Sequence, residues 1–476
     1  MDYLAKLLVS EVNLDEVRKL EERYSDKMEV AEWLNRKLVS NQDNKKMALL
    51  NWFGLKEGFS YNLVVKLIER STLKPSSTFL DPFSGTGTSI FAAANNGLNS
   101  IGIELLPFGQ FLHDTRKAAF AVNPDLFKIE ISKILEYIKI KKRPKQMFMF
   151  HHLSITYGAF PKETERAMAN YLQYVNEITD PAIKQLMKFA CFSVLEKISF
   201  TSKDGQYLRW DKRSGRTRAG EYQKKEILPF TVAIYQALQE IHLTVKGKLF
   251  FDNGSKDNLK RITLINGSAL ENLPKLPHES IDLIISSPPY CNRYDYTRTY
   301  ALELAFLGSD NEKLKAYRQE LLSCTVENRS KEKWLYDLYK SLGKLETFFA
   351  AEKTFEENQA LQSILKSLMQ AMNEGRLNNK GIYRMVYNYF FEHSFIIHEI
   401  ARIMKHGGKI YYINDNVQYA NISIPVDLIL SDFAKSAGLF VSKIYYLRRG
   451  KGNSSQQMGR NGREELRKCV YFWEKL

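Results

Sequence analysis

Two short runs and one acid carry the residue types that could do chemistry. The first run is Asp81-Pro82-Phe83-Ser84-Gly85-Thr86-Gly87-Thr88. An apolar pair, Phe79-Leu80, leads into it, and Ile90-Phe91-Ala92-Ala93-Ala94 follows closely. The pattern predicts a buried strand, a tight glycine turn and a helix start, where backbone N–H groups face a ligand. Gly85 and Gly87 permit the turn and leave room for close approach. Ile90 stands where a dinucleotide fingerprint would have its third glycine, and Asp81 would repel a pyrophosphate. The turn therefore suits an adenosine-containing ligand with a cationic part. Glu104 ends the next apolar run, 23 positions beyond Asp81. An acid at the tip of the second strand can accept hydrogen bonds from both ribose hydroxyls. The second run, Ser287-Pro288-Pro289-Tyr290, closes a strand predicted over residues 281–285. Its prolines remove two N–H donors and stiffen the loop.

The glycine turn followed by Ser-Pro-Pro-Tyr, each at a strand end, resembles the S-adenosylmethionine-dependent DNA amino-methyltransferases. The resemblance covers residues 51–108, 261–308 and 381–476. It implies a Rossmann-like class I α/β sheet, S-adenosylmethionine as cofactor, double-stranded DNA as substrate and a cognate restriction endonuclease as partner. It gives Ser287 and the Pro288 carbonyl as acceptors for the protons of an exocyclic amine, and Tyr290 as the ring on which an extruded base stacks. It also assigns cofactor contacts to Phe59 and Ser60, just before the glycine turn, and to Asp81, Pro82, Phe83, Gly85, Thr86, Gly87, Thr88 and Glu104. Relatives often carry an acid near Ser268, so Ser268 itself enters as a weaker cofactor contact. Ser rather than Asp or Asn at the head of the tetrapeptide leans towards cytosine N4 over adenine N6.

These groups can meet only if one sheet brings distant strand ends together. The expected organisation is a helical lead-in over 1–50 and a cofactor half of the core over 51–108. A helical insertion follows over 109–260, then core with the catalytic run over 261–308. A second helical insertion, 309–380, precedes the C-terminal core, 381–476. In the first insertion, Lys203, Tyr207, Arg209, Trp210, Lys212, Arg213, Arg216 and Arg218 interleave cations with aromatics, as phosphate contacts and base stacking require. A solvated loop is the bland alternative, and the net charge tilts the reading towards DNA. Arg448 and Arg449 open a second basic loop near the C-terminus. The second insertion reads equally as a DNA clamp or as a packed helical cap.

The chain has 476 residues and a net charge of +15, a balance that suits a polyanionic partner. Four scattered cysteines form no CxxC pair, which excludes a zinc ribbon or a disulfide framework. No metal-ligand cluster is expected. No run has the length of a membrane span and no secretory leader stands at the N-terminus, so the expected setting is cytoplasmic. Cys291 follows Tyr290 rather than Pro and reads as an inert thiol, not as the nucleophile of cytosine C5 methylation. The alternatives are a guanine-N2 methyltransferase of tRNA, a silent nucleic-acid-binding module on the same scaffold, and a nicotinamide dehydrogenase, disfavoured by Ile90.

Overall fold

A computed structural model describes residues 14–55, 58–140, 143–204, 207–216, 221–247, 256–448, 451–452 and 465–476. Its centre is an eight-stranded sheet. The strands are β1 (Met28–Val30), β2 (Thr78–Asp81), β3 (Asn99–Glu104), β6 (Ile262–Asn266), β7 (Ile281–Ser286), β8 (Met404–Asp415), β11 (Phe440–Tyr446) and β14 (Lys468–Glu474). Three small hairpins use β4 (Thr201–Asp204) with β5 (Tyr207–Trp210), β9 (Val417–Tyr419) with β10 (Ile422–Ile424), and β12 (Lys451–Gly452) with β13 (Glu465–Leu466).

The sheet order is β1-β11-β14-β8-β7-β2-β3-β6. The ladders from β6 through β8 are parallel, and β14 runs against both β8 and β11. Central parallel strands are covered on both faces, so their sequences are apolar without alternation. Phe79, Leu80, Leu283, Ile284 and Ile285 are all buried there. Each such side chain contributes roughly 1.5–3 kcal/mol by leaving water. The chain runs outward from β2 to β3 and β6, then returns to β7 on the other side of β2. That reversal opens a crevice beyond the carboxyl ends of β2 and β7, where ligands of open α/β sheets bind. The expected Rossmann-like sheet is present.

The lead-in departs from the helical expectation. Among the described residues of the lead-in, α1 (Leu14–Tyr24) alone is helical by α geometry; β1 then adds itself parallel to β11 at the sheet edge. Turns and a short 3-10 segment, Asp43–Lys46, run from there to α2 (Tyr61–Glu69). Beyond β2 come α3 (Thr88–Asn95) and α4 (Pro107–Ala121). The first insertion is helical over α5 (Pro124–Lys139), α6 (Lys162–Glu177), α7 (Pro181–Val194) and α8 (Phe230–Lys246). Its basic stretch is not an open loop: residues 201–210 form the β4–β5 hairpin.

The second insertion holds α9 (Asn311–Glu320), α10 (Glu332–Ser341), α11 (Leu345–Glu357) and α12 (Gln359–Asn373). The sequence carries an amphipathic pattern over 355–372. The structure breaks it at Asn358, whose side chain accepts from the Leu361 N–H at 2.9 Å and so caps α12. The apolar faces of these helices bury Leu335, Tyr339, Phe348, Leu361 and Leu368 in one cluster with α13 (Gly381–Ile403). The insertion is thus a packed cap. α13 stops at Ile403, ahead of His406-Gly407-Gly408, because β8 already begins at Met404. A last helix, α14 (Val426–Ser436), packs on β8, β11 and β14.

Lys331 pins this cap. Its ammonium lies 2.7 Å from Glu392 on α13, and Ser323 also donates to that carboxylate. Both charged side chains are nearly out of water, so removing one leaves the other uncompensated. Lys331→Met is expected to cost about 3 kcal/mol and to lower the midpoint of thermal unfolding; an unchanged midpoint would mean the pair carries no such weight.

Candidate active site

A cavity of about 340 Å³ opens at the crevice between β2 and β7. Small-molecule sites commonly fall in this size range. Its floor is the glycine turn. Gly85 (φ 54°) and Gly87 (φ 79°) both take left-handed backbone angles, which side chains other than glycine rarely accept. Gly87 is the N-cap of α3. Arg116 of α4, itself buried, donates to the Thr86 carbonyl at 2.5 Å and braces the turn from behind. Burial lowers its pKa to about 10.

Two buried acids set the electrostatics. Asp81 is 1% exposed and accepts three hydrogen bonds: Phe83 N–H at 2.9 Å, Ser286 Oγ at 2.5 Å and Ser89 Oγ. Burial nevertheless outweighs these donors and raises its pKa to about 6. Glu104 Oε2 accepts from Gly85 N–H at 2.7 Å, and Oε1 from Leu106 N–H at 2.8 Å. Burial lifts Glu104 to about 7, with the charge of Asp81 adding to the lift. Two acids this reluctant to ionise form a cavity that rewards a bound cation and hydroxyl donors.

The cavity wall also contains Ser287 and Pro289. Two sequence-distant runs therefore meet across adjacent strand ends. Ser287 Oγ donates to Tyr290 Oη at 2.9 Å. Tyr290 itself is buried beyond the cavity, and Pro288 does not line it. Phe59, Asp81, Pro82, Phe83, Gly85, Thr86, Thr88, Glu104 and Ser268 do line it. Ser268 caps a short helix by accepting from the Leu270 N–H at 3.3 Å. Ser60 stands apart: it caps α2 by accepting from Leu63 N–H at 3.1 Å and does not reach the cavity. Gly87 acts through backbone geometry rather than as a wall.

The lead-in supplies wall residues that the sequence did not single out, among them Asn41, Asn44 and Lys45. Asn44 donates to the Phe59 carbonyl at 3.1 Å and accepts from Tyr61 N–H at 2.8 Å, so it holds Phe59 in place. Asn41 donates to the Leu55 carbonyl at 2.6 Å. The sequence reading of this segment as a helical lead-in gave no signal for them.

The proposed DNA cations fare differently. Lys203 turns inward, ion-paired with buried Glu303 and 5.2 Å from the ring centroid of Phe53, a cavity residue. Arg213 is paired with buried Asp211 at 2.7 Å. Arg216 stacks on Trp210 at 3.7 Å from the ring centroid and donates to the Tyr157 carbonyl at 3.1 Å. Trp210 is half-buried against the core. These residues order the hairpin instead of presenting free cations. Arg209, stacked on Tyr222, and Lys212 remain exposed, as does Arg448. The Tyr207 side chain, Arg218 and Arg449 lie outside the described residues. All four cysteines are free and buried, and burial pushes the Cys291 thiol well up, as an inert thiol requires. Among the described residues no cluster of His, Cys, Asp or Glu could hold a metal, and no helix is long and apolar enough to cross a membrane.

Comparison with known proteins adds a family. A model of a DNA methylase family matches residues 9–108. The chain is 42% identical over 462 residues to the Type II methyltransferase M.AvaI of Nostoc sp. and of Anabaena variabilis, covering 96% of this chain and 92% of theirs. It is 43% identical over 471 residues to the Type II methyltransferase M.BsoBI of Geobacillus stearothermophilus, covering 96% and 91%. The chain belongs to the Type II DNA methyltransferases. No solved structure matches it. Membership displaces the tRNA methyltransferase, silent-module and dehydrogenase alternatives. The matched segment of the family model includes the lead-in, consistent with its place in the cavity wall.

Gly109 faces the site from α4. A Cβ there would meet Glu104 Cγ at 2.5 Å and the Gly85 carbonyl at 2.9 Å. Gly109→Ala must displace Glu104 and is expected to weaken binding of an adenosine-containing ligand at least tenfold by calorimetry. Binding at full strength would show that Glu104 does not hold the ligand.

Proposed function

We propose that this Type II DNA methyltransferase takes S-adenosylmethionine in the 340 Å³ cavity and methylates an exocyclic amine of a base extruded from duplex DNA, with cytosine N4 preferred over adenine N6. One observation carries the reading: Ser287 and Pro289 share a cavity with Asp81 and Glu104. The donor set fits the cofactor. Glu104 can accept from a ribose diol, and the two acids favour a ligand carrying sulfonium and ammonium charge. When bound, the cofactor supplies a methyl group made electrophilic by the sulfonium.

The rest falls to the chain. An exocyclic amine is a poor nucleophile because its lone pair is delocalised into the ring. Ser287 Oγ and the Pro288 carbonyl can accept hydrogen bonds from its two N–H groups and favour the pyramidal form. Ser287 Oγ already spends its own proton on Tyr290 Oη, which leaves its lone pairs for the amine. Tyr290 gives the base a ring to stack on. Orientation and fixed dipoles would supply most of the rate. The lean to cytosine rests on Ser287 heading the tetrapeptide. Exposed Arg209, Lys212 and Arg448 are candidates for phosphate contacts, and a cognate endonuclease is the partner that a Type II enzyme implies.

Two outcomes are expected. Incubation with labelled S-adenosylmethionine and unmethylated duplex DNA, followed by nucleoside mass spectrometry, should give N4-methylcytosine. Tyr290→Ala should lower the rate at least a hundredfold; transfer at the original rate would remove Tyr290 from the site. The second concerns pH. A bound cation stabilises ionised Asp81 and Glu104, so binding releases protons, and affinity should rise as pH climbs through about 6 and about 7 and level off above that. Glu104→Gln should flatten that rise, whereas an unchanged slope would assign the titration elsewhere.

A further inference from the structure

Tyr290 is 2% exposed, yet it is the ring on which the extruded base must stack. Lys468, the first residue of β14, stands against it. The ammonium is 5.1 Å from the ring centroid and 3.5 Å from Tyr290 Oη. Asp415, the last residue of β8, lies directly opposite Lys468 in the ladder and pairs with it at 3.0 Å. The two side chains are 13% and 11% exposed.

This ion pair is not what sets the strand register. The β8–β14 ladder already fixes the register through backbone bonds from Lys468 to Glu474. Taking a lysine and an aspartate out of water costs energy that packed apolar residues would not incur. The sheet order suggests what the charge does. β7, which carries Ser287–Tyr290, has β2 and the cofactor cavity on one side, and β8 with β14 on the other. A base stacked on Tyr290 with its amine towards Ser287 and the cavity turns its far edge towards β14. In cytosine the ring carbon two places from the amine carbon carries the O2 carbonyl, an acceptor that can point that way; in adenine the matching carbon bears only hydrogen. An ammonium has three donors and no acceptor.

We infer that Lys468, aimed by Asp415, covers the Tyr290 ring until the base arrives and then donates to the O2 carbonyl of the extruded cytosine, so that it selects cytosine over adenine. The inference rests on the cytosine-N4 reading of the Ser287–Tyr290 loop. Lys468 does not line the cofactor cavity, so its loss should leave cofactor affinity unchanged.

The test uses the full chain and a duplex carrying its mapped target site. Lys468→Met should keep S-adenosylmethionine affinity within twofold but slow single-turnover methylation at least tenfold, and Lys468→Arg should recover most of that loss. Replacing the target cytosine by 2-thiocytosine, a weaker acceptor, should slow the unaltered enzyme at least fivefold and Lys468→Met hardly further. If Lys468 is merely structural, 2-thiocytosine slows Lys468→Met by the same factor as the unaltered enzyme, and that result would overturn the inference. N4-methylcytosine made by Lys468→Met at the original rate would overturn it while leaving the cytosine-N4 reading intact. N6-methyladenine from the unaltered enzyme would overturn both. If Lys468→Met fails to fold, the 2-thiocytosine duplex with the unaltered enzyme decides alone: full-speed transfer overturns the inference.

Discussion

The buried carboxylate of Asp81 is the interaction on which the site depends. It stands at the end of β2 and accepts from three places at once: Phe83 in the turn, Ser89 on α3 and Ser286 at the end of β7. The first fixes the turn and the second seats the helix behind it. The third ties the cofactor half of the sheet to the strand that delivers Ser287. Without that tie, the β2–β7 ladder would be held by the few residues around Phe79 and Leu80. A carboxylate so enclosed would rather be neutral, and its donors hold it close to the point of ionising.

The rest of the core repeats this logic of one group serving two elements. Glu104 closes β3 and also holds the Gly85 N–H, so the second strand shapes the turn that follows the first. Arg116 reaches from α4 to the Thr86 carbonyl. Lys203 brings the β4–β5 hairpin onto the Phe53 ring, joining the first insertion to the cavity wall. The insertions are therefore not appendages. The first touches the cavity wall, and the second packs on α13.

What could be read from the residues follows from how local the physics is. A glycine turn, a double proline and an acid at a strand tip each constrain their own backbone, so Asp81–Thr88, Glu104 and Ser287–Tyr290 stood out unaided. The strand runs were legible because central parallel strands are apolar throughout. The edge strand Met28–Val30 was not, since three half-buried or exposed residues carry no period. Asn41, Asn44 and Lys45 were missed because their role depends on the chain folding back against Phe59. In the basic stretch, likewise, charge counts do not reveal that Lys203 and Arg213 have buried acids as partners. The break at Asn358 yields to capping chemistry, which periodicity alone overlooks. Lys468 gains meaning only from a ladder that sets it opposite Asp415.

The central claim is that Asp81 joins the cofactor turn and the catalytic strand into one site. Ser286 tests it most directly, because its side chain is wholly buried and does not itself line the cavity. S-adenosylmethionine affinity of Ser286→Ala, measured by calorimetry on folded protein, is predicted to fall at least fivefold although no ligand contact has been removed. Affinity equal to that of the unaltered chain would contradict the claim and reduce the Asp81–Ser286 bond to ordinary packing.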